Sequence, residues 1–215
     1  RRVTGSGSSQ HGAKSEAENY AQRGSLPRPG CHGKGVAFVI FWFLLASLSH
    51  HQANAAVFDV TTTLDSGTGS LRQAMTDANT TAGPDTITFN LLLAADHTIT
   101  LVTRLPSIIE TVTIDGTTHP DGRVELKGVN LPTTGTVNPA FWIQTEGCSI
   151  SGFAMHGFKA IAIHISTGNN NLIRNNYIGT DYSANGLGDV TGVGVSVIRS
   201  ANVIGGTQPS ERNII

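Results

Sequence analysis

One aspartate and one arginine occupy equivalent positions in similar sequence blocks. Side chains of these types could take part in cleaving a carbohydrate. When the blocks are aligned, Asp115, Ser151, Arg174 and Gly205 fall in one column. Hydrolysis of a sugar polymer needs paired carboxylates, and elimination needs a calcium-binding group beside a base. Asp115 and Arg174 would lie roughly 10 Å apart, too far for a direct pair although a bound sugar could span them. Asp115-Gly116 is more typical of a turn, so we predict no catalytic residue.

Histidines and one acidic loop are the remaining candidates for binding a metal ion. The histidines beyond residue 56 are His97, His119, His156 and His164. Their positions lack the spacing of a metal-ligand set. Asp181 and Asp189 flank a loop that could hold calcium, but the loop lacks the Asp/Gly nonapeptides of calcium-binding β-rolls. We predict no metal and no cofactor, and no ligand-binding residue is assigned.

Aromatic side chains are the natural contacts for a sugar ring. The candidates are Phe141, Trp142, Phe153 and Phe158. They alternate with other residues, which favours core packing for most of them over a sugar-binding face.

Short sequence blocks must position all of these residues, and the blocks recur in one order. Ile161–Ile165 matches Val193–Val197 at a spacing of 32, and Asn171–Ile173 matches Asn202–Ile204. Further matches align 112–116 with 148–152, 148–152 with 171–175, and 176–178 with 213–215. Each block alternates apolar with small or polar residues, as strands do, and Gly and Asn mark the bends.

The recurrence of blocks in the same order favours parallel stacking over a hairpin meander. We therefore predict an all-β fold, a right-handed parallel β-helix whose turns of about 22 residues stack roughly 4.8 Å apart. Ile161/Val193, Ile163/Val195 and Ile165/Val197 should form inward ladders. Loops such as 180–191 should bulge outward.

Asparagine at one bend recurs in successive turns. Asn171 and Asn202 align there, so their side chains can satisfy backbone groups that a tight corner would leave without partners. The earlier aligned residue is Cys148, which we expect to be small and buried. The alternative is that asparagine occurs at this bend only because it favours turns, and that no ladder forms.

The region 56–96 reads as a cap on residues 97–215. Phe58–Thr62 and Thr86–Phe89 are predicted strands, and a helix is predicted within Gly69–Asn79 with Ser70 as its N-cap. The apolar face of this α-helix should cover the first turn of the predicted β-helix.

Composition and charge limit the partners. The chain is 13% charged with 25 glycines, and residues 56–215 carry eight Lys/Arg against thirteen Asp/Glu. This mildly acidic region offers no basic footprint for nucleic acid or for anionic membranes.

The N-terminal region has the pattern of an export signal. Val36–Leu48 is an apolar run of 13 residues followed by Ala53-Asn54-Ala55, so 36–55 is predicted to be a signal peptide, preceded by an unstructured or mis-assigned extension at 1–35. The run is shorter than the roughly 20 residues of a membrane span. The hydrophobic end at Ile215 leads us to expect a fragment with further turns or an anchoring module beyond it.

Two segments resemble a known family. VTTTLDSGTGSLRQAMTDANTTAGPDTITFN, with GSLRQA at Gly69–Ala74, is similar to the N-terminal region of bacterial exported proteins of the CSLREA-domain or polymorphic-outer-membrane type. Gly69 and Gln73 depart from the Cys and Glu of the motif. NLIRNNYIGTD and NVIGGTQPSERNII are similar to the pectin-lyase-like β-helix repeats of such proteins.

The resemblance implies a secreted or surface-displayed bacterial protein with adhesive or unassigned roles. We expect a non-catalytic adhesin or scaffold that presents loops to extracellular polysaccharide or to other cells. One alternative is a carbohydrate-active enzyme, a polysaccharide lyase or glycoside hydrolase, whose catalytic turns lie beyond this fragment. Another is an internal structural spacer with no ligand of its own.

Overall fold

A computed structural model describes residues 54–91, 97–132, 137–185 and 192–215. The predicted N-terminal extension, the apolar run of the predicted signal peptide, and residues 186–191 of the predicted outward loop lie outside the described residues. Asp189 lies outside them too.

Thirteen short strands and one α-helix make up the described fold. The helix, α1, spans Leu71–Ala78. The strands are β1 (Val57–Val60), β2 (Asp85–Phe89), β3 (Thr98–Thr100), β4 (Val112–Asp115), β5 (Val124–Lys127), β6 (Phe141–Ile143), β7 (Ser149–Ser151), β8 (Phe153–His156), β9 (Ile161–Ile165), β10 (Leu172–Arg174), β11 (Tyr177–Ile178), β12 (Val193–Val197) and β13 (Val203–Ile204).

The strands form three sheets. The first sheet has the order β1-β2-β4-β7-β10-β13, the second β11-β8-β5-β3, and the third β12-β9-β6. All the pairings between these strands are parallel. Consecutive strands from β4 onward therefore fall in different sheets, and each strand pairs with one from an earlier or later part of the chain.

The pairing predicted from the repeated blocks is confirmed. Ile163 pairs with Val195 and Ile165 with Val197, as aligned. The pairings of β10 with β13, of β7 with β10 and of β4 with β7 also follow the predicted register. Matching blocks identify paired strands because strands that stack in register bury equivalent side chains.

The predicted fold class, an all-β right-handed parallel β-helix, is corrected by this topology. The strands form three separate parallel sheets of unequal size, with six, four and three members. An α-helix contributes to the same core as the strands. Repeated blocks indicate which strands pair, but pairing alone does not determine how many strands each sheet holds or how the sheets are related in space.

Apolar side chains from all three sheets share one core. Ile87, Ile114, Ile150 and Ile173 align across the first sheet, and all are fully buried. Rings connect the sheets: Phe153 of β8 lies edge-on to Phe89 of β2, and also to Phe141 of β6, with centroids 5.5 and 5.1 Å away. Edge-to-face rings add to the stabilisation from burial.

The predicted helix is confirmed, including its cap. Ser70 has extended backbone geometry and its hydroxyl accepts the Gln73 N–H, as an N-cap residue does. Leu71, Ala74, Met75 and Ala78 are all buried, and α1 packs against β1 and β2. The buried face of α1 thus covers apolar side chains of β1 and β2.

Asparagines form the predicted ladder, with side chains that bond backbone groups. Asn171 Oδ1 accepts the Cys148 N–H at 2.8 Å, and Asn202 Oδ1 accepts the Asn171 N–H at 2.9 Å. A second ladder repeats the pattern: Asn176 Oδ1 accepts the Phe153 N–H at 3.1 Å, and Asn213 Oδ1 accepts the Asn176 N–H at 3.0 Å. Cys148 is buried as expected, and burial raises its thiol pKa to about 11, so the thiol is protonated at neutral pH.

One side of the described fold ends in exposed strands. Val193 and Val197 of β12 are 49% and 41% exposed, and Val203 of β13 is 52% exposed. Both valines pair in register with Ile161 and Ile165, so they lie on the core side of the sheet as predicted, and they are exposed because β12 is the edge strand. Val195 does pack against the core.

Candidate functional site

Trp142 is the aromatic residue that the third sheet turns outward. Its neighbours in β6, Phe141 and Ile143, are fully buried, whereas Trp142 is partly exposed. Successive side chains of a strand point to opposite faces, so the indole lies on the outer face. His164 and Ser196 continue the same row on β9 and β12.

Three polar side chains surround the indole. Its Nε1–H donates to Ser166 Oγ at 2.8 Å, the His164 ring meets it edge-on at 5.4 Å between centroids, and the Arg104 guanidinium lies 5.0 Å from the ring centroid. The contact with Ser166 fixes the ring plane. We call Arg104, Trp142, His164 and Ser166 the tryptophan face.

Arg104 reaches this face from a segment that helix α1 holds in place. The Arg72 side chain donates from Nη1 to the Arg104 carbonyl oxygen at 2.6 Å, and from Nη2 to that of Thr103 at 2.8 Å. Asp65 pairs with Arg72 at 2.8 Å and also accepts the Val102 N–H at 3.0 Å. Arg72 belongs to the GSLRQA motif, so this motif positions the backbone that carries Arg104.

A second polar cluster lies on the outer face of the second sheet. Glu125 Oε1 lies 3.1 Å from His156 Nε2, and Glu125 Oε2 lies 3.3 Å from Lys127 Nζ. Thr98 Oγ1 donates to Glu125 Oε2 at 2.6 Å. Glu125 and His156 are only 4% and 6% exposed. We call these four residues the Glu125 cluster.

The Glu125 carboxylate is held in its charged form. Burial alone would raise its pKa, but the Thr98 hydrogen bond, Lys127 and His156 together lower it below the ordinary glutamate value. A carboxylate beside an imidazole is a combination used for proton transfer. Here three partners occupy the carboxylate and leave it almost no exposed surface.

A tyrosine from the 181–185 turn contacts residues next to this sheet. Tyr182 stacks on His97 with centroids 4.2 Å apart, and its hydroxyl donates to the Asp121 carbonyl oxygen at 2.9 Å. Nearby His119 is buried, and its pKa is lowered because burial outweighs the attraction of Asp121. Arg123 stacks on Tyr177 at 3.6 Å and is buried as well.

The column proposed from the sequence is real but does not bring its charged groups together. Asp115, Ser151 and Arg174 are in register across the first sheet. Asp115 accepts the Ser151 hydroxyl at 3.1 Å and the Thr117 N–H at 3.0 Å, while Arg174 pairs with Glu211 at 3.1 Å. Each charge is bound by a local partner. Gly205 has a φ of +88° and marks a turn.

The other sequence candidates separate into different surroundings. Phe141, Phe153 and Phe158 are fully buried core residues, as predicted for most of the aromatic set. Asp181 accepts the N–H groups of Ser183 and Asn185, and these bonds lower its pKa. Within 54–91, 97–132, 137–185 and 192–215, no group of three or more His, Cys, Asp or Glu side chains is arranged to hold a metal ion.

Sequence reasoning missed Glu125, Lys127 and Arg104. The alternation in Val124–Lys127 was a usable signal, because it places Glu125 and Lys127 on one face, and aligning this block with Phe153–His156 places His156 beside Lys127. No such signal exists for Arg104. It lies outside the strands, and only the folded chain brings it to Trp142.

No protein-family model matches the chain, and no curated protein matches its sequence. The resemblance to CSLREA-domain proteins therefore stays a prediction. In the described part of the chain, no helix has both the length and the apolarity to cross a membrane.

Proposed function

We propose that this chain is a secreted or cell-surface scaffold that binds an extracellular glycan through the tryptophan face and does not cleave it. The observation that carries the proposal is the position of Trp142. Its strand neighbours are buried, yet the indole faces outward beside hydrogen-bonding side chains. A core residue has no reason to be there.

The chemistry of a sugar fits this face. A sugar ring has apolar C–H faces and a rim of hydroxyl groups. An indole provides a flat apolar surface at low conformational cost. His164 lies beside it with an imidazole ring, and the Ser166 hydroxyl, which accepts the indole N–H and donates to the Ile143 carbonyl oxygen, orients the indole. A flat sheet face also allows several sugar units of a polymer to lie along it.

Export is supported by the sequence alone. The apolar run Val36–Leu48 and the Ala53-Asn54-Ala55 site have the form of a secretory signal. A net charge of −5 on residues 56–215, from eight basic and thirteen acidic side chains, disfavours nucleic acid as the partner.

Replacement of Trp142 tests the binding function. A glycan array first identifies a polysaccharide that the full chain binds. We expect Trp142→Ala to weaken binding to this polysaccharide by about tenfold or more, because one aromatic contact and the area it buries contribute on the order of 1.4 kcal/mol. Trp142→Phe should retain part of the affinity. Affinity electrophoresis of the full chain measures both.

The matched control is Leu64→Ala, which removes a side chain that is 66% exposed. It should leave the affinity unchanged. Equal affinity of the Trp142→Ala variant and the unmodified chain would contradict the proposal, provided that thermal unfolding shows both to be folded.

The Glu125 cluster is the one observation that favours a carbohydrate-active enzyme. Its carboxylate and imidazole are in contact, at 3.1 Å. Release of reducing or unsaturated sugars by the full chain, lost in Glu125→Gln, would establish that function. We favour binding because Glu125 is nearly inaccessible to a substrate.

A further inference from the structure

We propose that the ligand of the tryptophan face is an acidic polysaccharide, whose carboxylate or sulfate group binds the Arg104 guanidinium. This inference rests on the proposed glycan-binding function and specifies its ligand class. It follows from the position of Arg104 and from the charge of the surrounding sheet.

Arg104 is exposed, and its guanidinium has no carboxylate partner among the residues that the structure describes. Its ring contact leaves its hydrogen-bonding capacity free. The guanidinium carbon lies 5.0 Å from the indole centroid, and the N–H donors of a guanidinium lie in the plane of the group. Those donors can bind a carboxylate or sulfate in bidentate fashion beside the Trp142 ring.

The Arg104 backbone is already ordered before any ligand binds. Two hydrogen bonds from Arg72 hold the carbonyl groups of Thr103 and Arg104, and the ion pair with Asp65 holds Arg72. A fixed backbone reduces the entropy lost on binding.

The third sheet presents no opposing charge. Its strands β6, β9 and β12 contain no aspartate or glutamate, although residues 56–215 as a whole carry five more acidic than basic side chains. An anion that approaches Trp142 therefore meets the positive charge of Arg104 without a carboxylate in the same strands.

The test compares three polysaccharides of similar length with the full chain: a polyuronate, a sulfated polymer and a neutral polymer. We expect tighter binding to at least one acidic polymer, and weaker binding as salt rises, because screening reduces the attraction between exposed charges. The polyuronate and sulfated arms distinguish the two sources of negative charge.

Arg104→Gln should reduce affinity for the acidic polymer by about tenfold and leave affinity for the neutral polymer unchanged. Arg104→Lys keeps the charge but loses the bidentate geometry, so its affinity should be intermediate. The matched control is Arg212→Gln, an exposed arginine at the turn that follows β13, which should leave the preference intact.

The outcomes separate the inference from the function beneath it. If Trp142→Ala weakens binding but acidic and neutral polymers bind equally, or Arg104→Gln weakens both equally, the acidic-ligand inference is overturned and glycan binding stands. If Trp142→Ala does not change the affinity for any of the three polymers, the proposed glycan-binding function itself is contradicted.

Discussion

Adjacent residues of β6 illustrate how far single residues can be assigned from sequence. Alternation predicts that Phe141 and Trp142 face opposite sides, and the structure has Phe141 fully buried with Trp142 partly exposed. Alternation does not say which of the two faces outward. That choice is set by ring contacts of Phe141 with Phe153, which lies in another sheet and is invisible to a local pattern.

Glu125 shows the reverse case, a charged side chain that is buried on an outer face. Its lowered pKa means that the folded protein binds the proton more weakly than the unfolded chain does. The charged carboxylate therefore stabilises the fold above the ordinary glutamate pKa of about 4.3, and this contribution is lost as the pH falls through the lowered folded value.

We accordingly expect the free energy of unfolding to fall less steeply with acidification in Glu125→Gln than in the unmodified chain, below about pH 4.3. Urea unfolding at several pH values measures the slope. The exposed Glu146 provides a control as Glu146→Gln. Asp181 and Glu211 also have lowered pKa values, and they contribute equally in every variant. Identical slopes for Glu125→Gln and the unmodified chain would show that the cluster does not hold the charged form.

At the scale of elements, local blocks were sufficient to predict pairing and one helix. The α1 cap and its four buried residues follow directly from the pattern around Ser70. The fold class was wrong because the number of strands in each sheet depends on non-local packing. The corners depend on specific side chains: Gly168 has a φ of +87°, and a β-carbon there would overlap the Thr145 carbonyl group.

The asparagine ladders join one strand to the next at these corners. Asn176 is fully buried. Its Oδ1 accepts the Phe153 N–H at 3.1 Å, and its Nδ2 donates to the Ile150 carbonyl oxygen at 3.0 Å. Asn176→Ala should lower the free energy of unfolding by about 2–4 kcal/mol, because each buried backbone group left without a partner costs about 1–3 kcal/mol.

Chemical denaturation of the full chain measures this loss, with Asn90→Ala as the matched control, since Asn90 is exposed. A change below about 0.5 kcal/mol in Asn176→Ala, comparable to that of an ordinary surface substitution, would mean that water replaces the amide and that the ladder is not a source of stability.

For the molecule as a whole, the two sides of the strand stack differ. Helix α1 packs on β1 and β2, whereas β12 and β13 are edge strands with exposed apolar side chains, and Ile198, which directly follows β12, is 60% exposed. Unpaired edges with apolar surface favour association between chains.

The described chain should therefore self-associate as its concentration rises, and Ile198→Lys combined with Val203→Lys should reduce this, because charge on an edge opposes pairing. Light scattering coupled to size-exclusion chromatography measures the mass. Leu64→Lys, an exposed site in the turn between β1 and α1, is the control. Mass that is independent of concentration in the unmodified chain would contradict the expectation.

Nuclear magnetic resonance of the full chain, labelled with ¹⁵N-tryptophan, tests glycan binding by the tryptophan face most directly. The sequence has two tryptophans, Trp42 and Trp142, and Trp142→Phe assigns the two indole N–H signals. We then titrate in a polysaccharide that affinity electrophoresis has shown to bind. The chemical shift of the Trp142 indole N–H should change and reach a plateau over the same concentration range. Saturable binding with the Trp142 signal unmoved would contradict the account.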